Sequence, residues 1–304
     1  MRYKTPRALE QAVKEAARRS GRDVNRAIAD FYHDRLLERV FSEQEPSFVL
    51  KGGRGMLART ARARYTKDTD MAYEGGGIDE AVTELRRLAA IDLGDHLEYR
   101  FSSASTIVEE QKYREGCRIT FEAILGSTKK VTDVSVDLVV NDAPLARTDI
   151  MAPATRLPID GLAHFDYVVY PVEESVTDKV CATMATYRGG RQSSRVRDLV
   201  DLAIYLTTEE IDGDELGRCL SRELRMGHMG ERRPFSVPES WKTSHAGATY
   251  QRLARNSRLS PELCEVERAE ALVASCVDVA MDGDARGMTW DKSALRWQVQ
   301  KSVI

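Results

Sequence analysis

Two aspartates, Asp68 and Asp70, stand two residues apart in RYTKDTDMAYE (64–74), shortly after FVLKGGRGMLAR (48–59). In a strand, residues two apart face the same side, so the two carboxylates point together. Like charges on one face repel, and a cation between them relieves the repulsion. Asp137 lies in the alternating stretch TDVSVDLVV (132–140), on the face opposite Val134, Val136, Leu138 and Val140. If the two strands are neighbours, three carboxylates converge. Such a set suits Mg²⁺, a hard cation that takes oxygen ligands and keeps water or phosphate in its shell. Ions held this way can clamp the attacking and leaving oxygens of a phosphoryl displacement. Gly52 and Gly53 stand between a short apolar strand and a helix start, where backbone N–H groups can approach a phosphate chain. Gly-Gly alone is commonly a turn, and Asp-x-Asp alone is common on surfaces. The ordered set of strand, Gly-Gly, helix, Asp-x-Asp strand and later Asp strand is far more specific.

The elements that must position these residues are legible in the periodicity. Residues 6–20 predict a helix with Pro6 in its first turn and a stripe of Leu9, Val13, Ala16 and Ala17. A second helix is expected from about Val24 to Phe41, with Ala27, Ile28, Phe31, Leu36, Leu37 and Val40 inward. After Pro46 the character becomes mixed. SFVL (47–50), KDTDMAYE (67–74), LEYRFSSASTI (97–107), CRITFEAIL (117–125) and TDVSVDLVV read as strands, and 78–91 as an amphipathic helix. From about residue 172 the pattern is helical, in 173–187, 194–206, 208–224 and 261–282. The expected fold class is therefore α+β. Its expected parts are an N-terminal helical segment (1–46), an α/β core with a mixed sheet (47–171) and a mostly α-helical C-terminal domain (172–304).

Composition narrows the function classes. The chain has 304 residues, 42% of them hydrophobic, and a formal net charge of −3. That supports a packed core and no overall polyanion-binding charge. Positive charge is local. Residues 2–26 carry eight Lys/Arg against three Asp/Glu, and residues 216–258 carry nine against three. Arg218, Arg222 and Arg225 fall on one helix face, and Arg59, Arg62 and Arg64 flank the Asp-x-Asp stretch. The alternative for each patch is a solvated basic surface. Five scattered cysteines without C-x-x-C exclude a zinc motif and point to a reducing compartment. The five histidines are scattered too, and surface or satisfied core positions account for them. No apolar run is long enough to span a bilayer, and the N-terminus lacks an apolar signal-peptide core, so the expected location is cytoplasmic, without membrane.

KGGRGMLAR (51–59), RYTKDTDMAYE, VDL (136–138) and DKVCATMATYRGGRQSSRVRDLVDL (178–202) together resemble the DNA polymerase β-like nucleotidyltransferase superfamily. Within it they resemble the AbiEii/AbiGii toxin family, to which the MenT toxins belong. The resemblance runs from about residue 47 to 206. The family signature has Gly-Gly, Asp-x-Asp, a helix lysine and a later Arg-x-(Lys/Arg)-Asp-x-x-Asp-Leu helix, and all four are present. The superfamily's commoner Gly-Ser is Gly-Gly here, so the serine's phosphate contact must come from backbone or elsewhere. The resemblance implies a polymerase β-like core in which Asp68 and Asp70 are the metal pair and Asp137 the third carboxylate. It implies that Lys179 reaches the nucleotide phosphates, that Asp198 supports the nucleotide site, and that Gly52 and Gly53 cradle the phosphates. Without it, Lys179 reads equally as an exposed helix lysine, Asp198 as the partner of Arg195 or Arg197, and Asp201 as structural.

The implied activity is nucleotidyl transfer from an NTP, with Mg²⁺ (or Mn²⁺) as cofactor, by the toxin of a toxin–antitoxin system. The implied acceptor is the 3′ end of tRNA, which would block aminoacylation, and the implied partner is a cognate antitoxin. Arg218, Arg222 and Arg225 are then the expected RNA contacts, and Thr66 the residue an antitoxin would phosphorylate. Nucleotidylation of a protein or small molecule, a kinase-like transfer and a non-catalytic binding role are the alternatives.

Overall fold

The computed structural model describes residues 3–107, 116–140, 145–227, 229 and 232–300. Two compact units result, one of Met1–Ala61 with Tyr65–Tyr170, the other of Arg62–Arg64 with Pro171–Ile304.

The first unit opens with α1 (Pro6–Arg19), whose Thr5 hydroxyl accepts from the Ala8 N–H and whose Leu9, Val13, Ala16 and Ala17 are buried. Helix α2 (Val24–Val40) starts at Asp23, which accepts from the Arg26 N–H. It is buried on nearly every side, including Asp30, His33, Asp34, Arg35, Glu38 and Arg39. Then come β1 (Phe48–Lys51), α3 (Gly52–Arg59), β2 (Thr69–Tyr73), α4 (Ile78–Ala89), β3 (Leu97–Ile107), β4 (Gly116–Leu125), β5 (Lys129–Val140), β6 (Asp149–Met151) and β7 (Tyr167–Val169). The seven strands form one mixed sheet in the order β3-β4-β5-β2-β1-β7-β6. The pairs β2–β5 and β1–β7 are parallel, and the others antiparallel. Met71, Tyr73, Ile119, Phe121, Val134, Val136 and Leu138 join Phe31, Leu36, Leu37, Leu85 and Leu88 in one core. The alternating strands therefore put their apolar residues under α2 and α4 and leave the other face for polar side chains.

Charges inside this core are paired. Asp95 accepts from Arg35 Nε and Arg39 Nη2, each at 2.7 Å, and Arg39 and Asp95 are fully buried. Burial works against the Asp95 charge, but the two arginines outweigh it and hold the carboxyl below its ordinary range.

The second unit is mainly helical: α5 (Val172–Met184), α6 (Val196–Thr208), α7 (Gly213–Arg225), α8 (Ser240–Thr243), α9 (His245–Asn256) and α10 (Val266–Asp282). Two short strands, β8 (Thr186–Tyr187) and β9 (Arg191–Gln192), form a hairpin, and β10 (Ile211–Asp212), β11 (Met288–Asp291) and β12 (Arg296–Val299) form a small antiparallel sheet. The α+β class expected from sequence is the class observed. Strands β6 to β12 and helices α8 and α9 are additions to that expectation, and α5 ends at Met184 where a helix to residue 187 was expected. Strands of two to four residues are too short to show alternation.

Asp34 is a buried carboxylate that its neighbours compensate only in part. Burial pushes its carboxyl up to about 7; Arg54 pulls it down, and Asp30 and Glu38 push it further up. Unfolded, it titrates near 3.9. Because the folded value is the higher one, its contribution to stability is complete below about pH 4 and is lost as pH rises through about 7. Asp34→Asn carries no charge at any pH. Relative to wild type it should gain stability between pH 4 and 8, by up to roughly 4 kcal/mol. Thermal melts of both proteins across that range check this; a difference that does not change with pH contradicts it. Taking the difference removes carboxylates such as Asp95, whose lowered values act in the opposite sense.

Candidate active site

Four charges line up across the middle of the first unit's sheet. Asp70 is in register with Lys51 on β1 and with Asp137 on β5, and Asp137 is in register with Arg118 on β4. Directly opposed residues share a face. The row therefore runs Arg118, Asp137, Asp70, Lys51: a cation, two anions and a cation. Arg118 Nε and Nη2 donate to the two oxygens of Asp137, both at 2.6 Å. Those hydrogen bonds and the Asp137 charge raise the Arg118 pKa, and the charges of Asp68 and Asp70 raise it further. Asp68 lies one residue ahead of β2 and is exposed, since the strand begins at Thr69 rather than at residue 67 as the sequence suggested.

The Gly-Gly step fits against this row. Gly52 has φ +61, and a Cβ there would lie 2.0 Å from Asp70 Oδ2. Only glycine combines that backbone with that approach. A Cβ on Gly53 would lie 2.8 Å from the Thr66 Cβ. Helix α3 starts at Gly52, and its N-cap residue Lys51 provides no side-chain hydrogen bond. The N-cap side chain thus leaves this helix start to other acceptors, and helix N-termini receive anions. Thr66 sits in the loop before β2, and its hydroxyl donates weakly to the Asp68 carbonyl at 3.5 Å.

Helix α2 braces both motifs, through residues the sequence did not single out. Arg54, inside the glycine-rich helix, is 4% exposed; it donates to Asp30 at 3.1 Å and lies 3.8 Å from Asp34. His33 Nδ1 lies 3.0 Å from the hydroxyl of Thr69, the residue between the two motif aspartates. Burial and then Arg54 lower the His33 pKa, so the ring is neutral and serves as a satisfied core histidine. The signal for Arg54 was a charge among the small and apolar residues of 52–58, and for Arg118 a charge alternating with Cys117, Ile119 and Phe121.

The second unit holds the other two expected residues, and holds them together. Lys179 on α5 is buried and donates to Asp198 at 3.2 Å and Asp201 at 2.7 Å on α6. Arg64 donates two bonds to Asp201, at 2.9 and 3.0 Å, and Arg195 donates to Asp198 at 2.5 Å. Burial opposes the Lys179 charge, but Asp201 and Asp198 outweigh it and raise the pKa. Burial likewise opposes the Asp198 charge, and Lys179 with Arg195 holds that carboxyl below its ordinary range. The surface-lysine alternative for Lys179 is thus overturned, and Asp198 does pair with Arg195. Asp201, read as structural, is the fully buried hub of the cluster.

The expected RNA-contacting arginines lie on α7. Arg222 donates to both oxygens of Glu174, at 2.7 and 2.6 Å, and to Glu223 at 2.9 Å. Arg218 donates to Glu215 at 2.6 and 2.9 Å, and Arg225 is exposed. The positive excess counted over 216–258 overstates the local charge, because Glu174 and Glu215 lie outside that window. Arg59, in the first unit, is likewise paired with Asp149.

The family model of the AbiEii nucleotidyl transferase toxin of type IV toxin–antitoxin systems matches residues 35–271. The chain belongs to the AbiEii family. It is thus a nucleotidyltransferase, and the Gly-Gly and Asp-x-Asp motifs of this AbiEii toxin fall within the matched stretch. No curated protein sequence matches it. Among solved structures it is similar to JHP933 from Helicobacter pylori, at 12% identity and TM-score 0.41, over 91% of this chain and 95% of that one. A second H. pylori structure, a nucleotidyltransferase by designation, has 12% identity and TM-score 0.41 over 84% of this chain and 94% of that one. Both likenesses are too slight to argue from.

Two substitutions probe these clusters. Gly52→Ala should cost about 1–2 kcal/mol for the left-handed backbone alone. Its Cβ should also push Asp70 aside, so transfer from labelled NTP should fall much further than the melting temperature; near-normal transfer would show that Asp70 need not touch Gly52. Lys179→Ala leaves Asp198 and Asp201 with less compensation and should destabilise by roughly 3–5 kcal/mol. Urea unfolding measures that, and a loss below about 1 kcal/mol would place the pair in the range of exposed ion pairs.

Proposed function

We propose that this AbiEii toxin transfers a nucleotidyl group from an NTP to the 3′ acceptor end of tRNA, with Mg²⁺ or Mn²⁺, and so blocks aminoacylation and translation. The observation that carries the reading is the pairing of Asp70 with Asp137 on adjacent parallel strands, with the Asp70 carboxylate against the Gly52 backbone.

The donor set of Asp68, Asp70 and Asp137 fits a hard divalent cation, being all carboxylate. Among the described residues no three Asp, Glu, His or Cys side chains are grouped tightly enough to enclose an ion as they stand. Both Asp137 oxygens accept from Arg118. Asp68, Asp70 and Asp137 are the residues that would hold the metal, which when bound would neutralise phosphate charge and acidify the attacking hydroxyl. Gly52 and Gly53 offer backbone N–H groups to the triphosphate. Lys179 spends two of its three N–H donors on Asp198 and Asp201, leaving one for a phosphate oxygen. In the reaction the acceptor hydroxyl oxygen bonds to the α-phosphorus, the α–β bridging bond breaks, and pyrophosphate leaves in line. Asp137 is the carboxylate assigned to accept the hydroxyl proton.

Support for tRNA as acceptor comes from the family resemblance; on α7 the exposed Arg225 could meet a backbone phosphate directly, whereas Arg218 and Arg222 would have to exchange Glu215 and Glu174 for phosphate. Five free cysteines support a reducing, cytoplasmic setting. Among the described residues no helix is long and apolar enough to cross a membrane. Phosphorylation of Thr66 by a cognate antitoxin would put about −2 of charge against Gly53, where it would repel the triphosphate.

Incubation with each α-labelled NTP, with and without total tRNA, tests the reading. Label should move to RNA in wild type, and Asp68→Ala and Asp70→Asn should each reduce transfer at least about a hundredfold with melting temperatures unchanged or raised. Label on protein or on a small molecule would replace the acceptor. Transfer from γ-labelled NTP alone would make the enzyme a kinase.

A further inference from the structure

We propose that Arg118 is the resting counter-ion of the acidic row, a guanidinium that a divalent cation displaces from Asp137. The inference rests on the metal reading above and concerns how that site opens.

Asp70 and Asp137 stand side by side at one register, about one inter-strand spacing of ~4.8 Å apart at the backbone. Without a metal their repulsion needs another cation nearby. Arg118 supplies it in the fullest form a side chain allows, with separate nitrogens donating to both Asp137 oxygens. A metal ion approaching Asp137 must then compete with a fork that already holds both oxygens. It must also approach a fixed positive charge.

The exposure of Arg118 sets it apart from the arginines that hold this unit together. The Arg35, Arg39 and Arg54 side chains are at most 4% exposed, and withdrawing them would strand buried carboxylates. Arg118 is 49% exposed. Its guanidinium can leave Asp137 for water without stranding itself, because half of the Arg118 side chain is already solvated, whereas Asp137, 19% exposed, is left for the metal to compensate. The pair is therefore strong in geometry and open to exchange on its cationic side, as a displaceable counter-ion requires. Lys51, at the other end of the row, lies with its ammonium 5.2 Å from the centre of the Tyr170 ring.

Calorimetric titration of Mn²⁺ alone, without nucleotide, into wild type, R118Q, D137N and the R118Q/D137N double variant tests this. R118Q should bind Mn²⁺ about tenfold more tightly than wild type, since one unit charge a few ångströms from the ion is gone. In the D137N background the same substitution should change affinity less than about twofold, because the carboxylate that the two cations share has been removed. Equal or weaker binding by R118Q overturns the proposal, and so does a full gain that persists in D137N. If wild type binds Mn²⁺ in a manner that Asp70→Asn abolishes while R118Q is unchanged, Arg118 alone is misassigned and the metal site stands. If wild type binds no Mn²⁺ with or without Asp70, both readings fall.

Discussion

The candidate site of the first unit answers to one electrostatic constraint: two carboxylates forced into register on adjacent parallel strands. Asp70 and Asp137 cannot separate without moving a strand, and each strand is held by apolar residues on its other face, Met71 and Tyr73 in one and Val134, Val136 and Leu138 in the other. The hydrophobic core thus maintains an arrangement that Coulomb's law disfavours. Cations in register on the outer strands complete the row, and the glycine beside Asp70 lets the carboxylate rest on bare backbone. An acidic site held this way is preorganised for positive charge before any arrives.

The buried ion networks follow a different logic. The Asp95 cluster and the Lys179–Asp198–Asp201 cluster are desolvated, and each carboxylate has two cations against it. Charges removed from water survive only when so compensated, and they then fix geometry more than they add stability. Arg54 couples this kind of network to the acidic row: it is buried on Asp30 and belongs to the helix that begins at Gly52. Within the first unit the Asp95 and Asp30 pairs are shut away from water, whereas Arg118, half exposed on Asp137, belongs to the row.

Much of this was legible in the sequence because it depends on period and spacing. The alternation in 132–140 placed Asp137 opposite an apolar face, whereas the two-residue step from Asp68 to Asp70 does not run within one strand, because β2 begins at Thr69. What alternation cannot give is strand order, so the direct pairing of Asp70 with Asp137 emerged only from the register. The three-residue strands Asp149–Met151 and Tyr167–Val169 left no periodic trace. Charge counting failed in a specific way along 216–258. A window sums charge along the chain, whereas Glu174 meets Arg222 from another helix. Arg118 and Arg54 were missed for the same reason, since each reveals its importance only through a partner on another element, Asp137 and Asp30.

The parallel pairing of β2 with β5 has a kinetic side. Antiparallel neighbours can form as hairpins, but these two partners are separated by about seventy residues of chain, including a helix and two further strands. Contacts so distant in sequence close late in folding, after the loop entropy between them has been lost. At a synthesis rate of roughly 5–20 residues per second, several seconds pass between the emergence of Asp70 and that of Asp137. A nascent chain therefore displays its glycine step and its first aspartates while the acidic row is still incomplete, and the ribosome that makes this toxin faces the assembled site only after most of the first unit has left it.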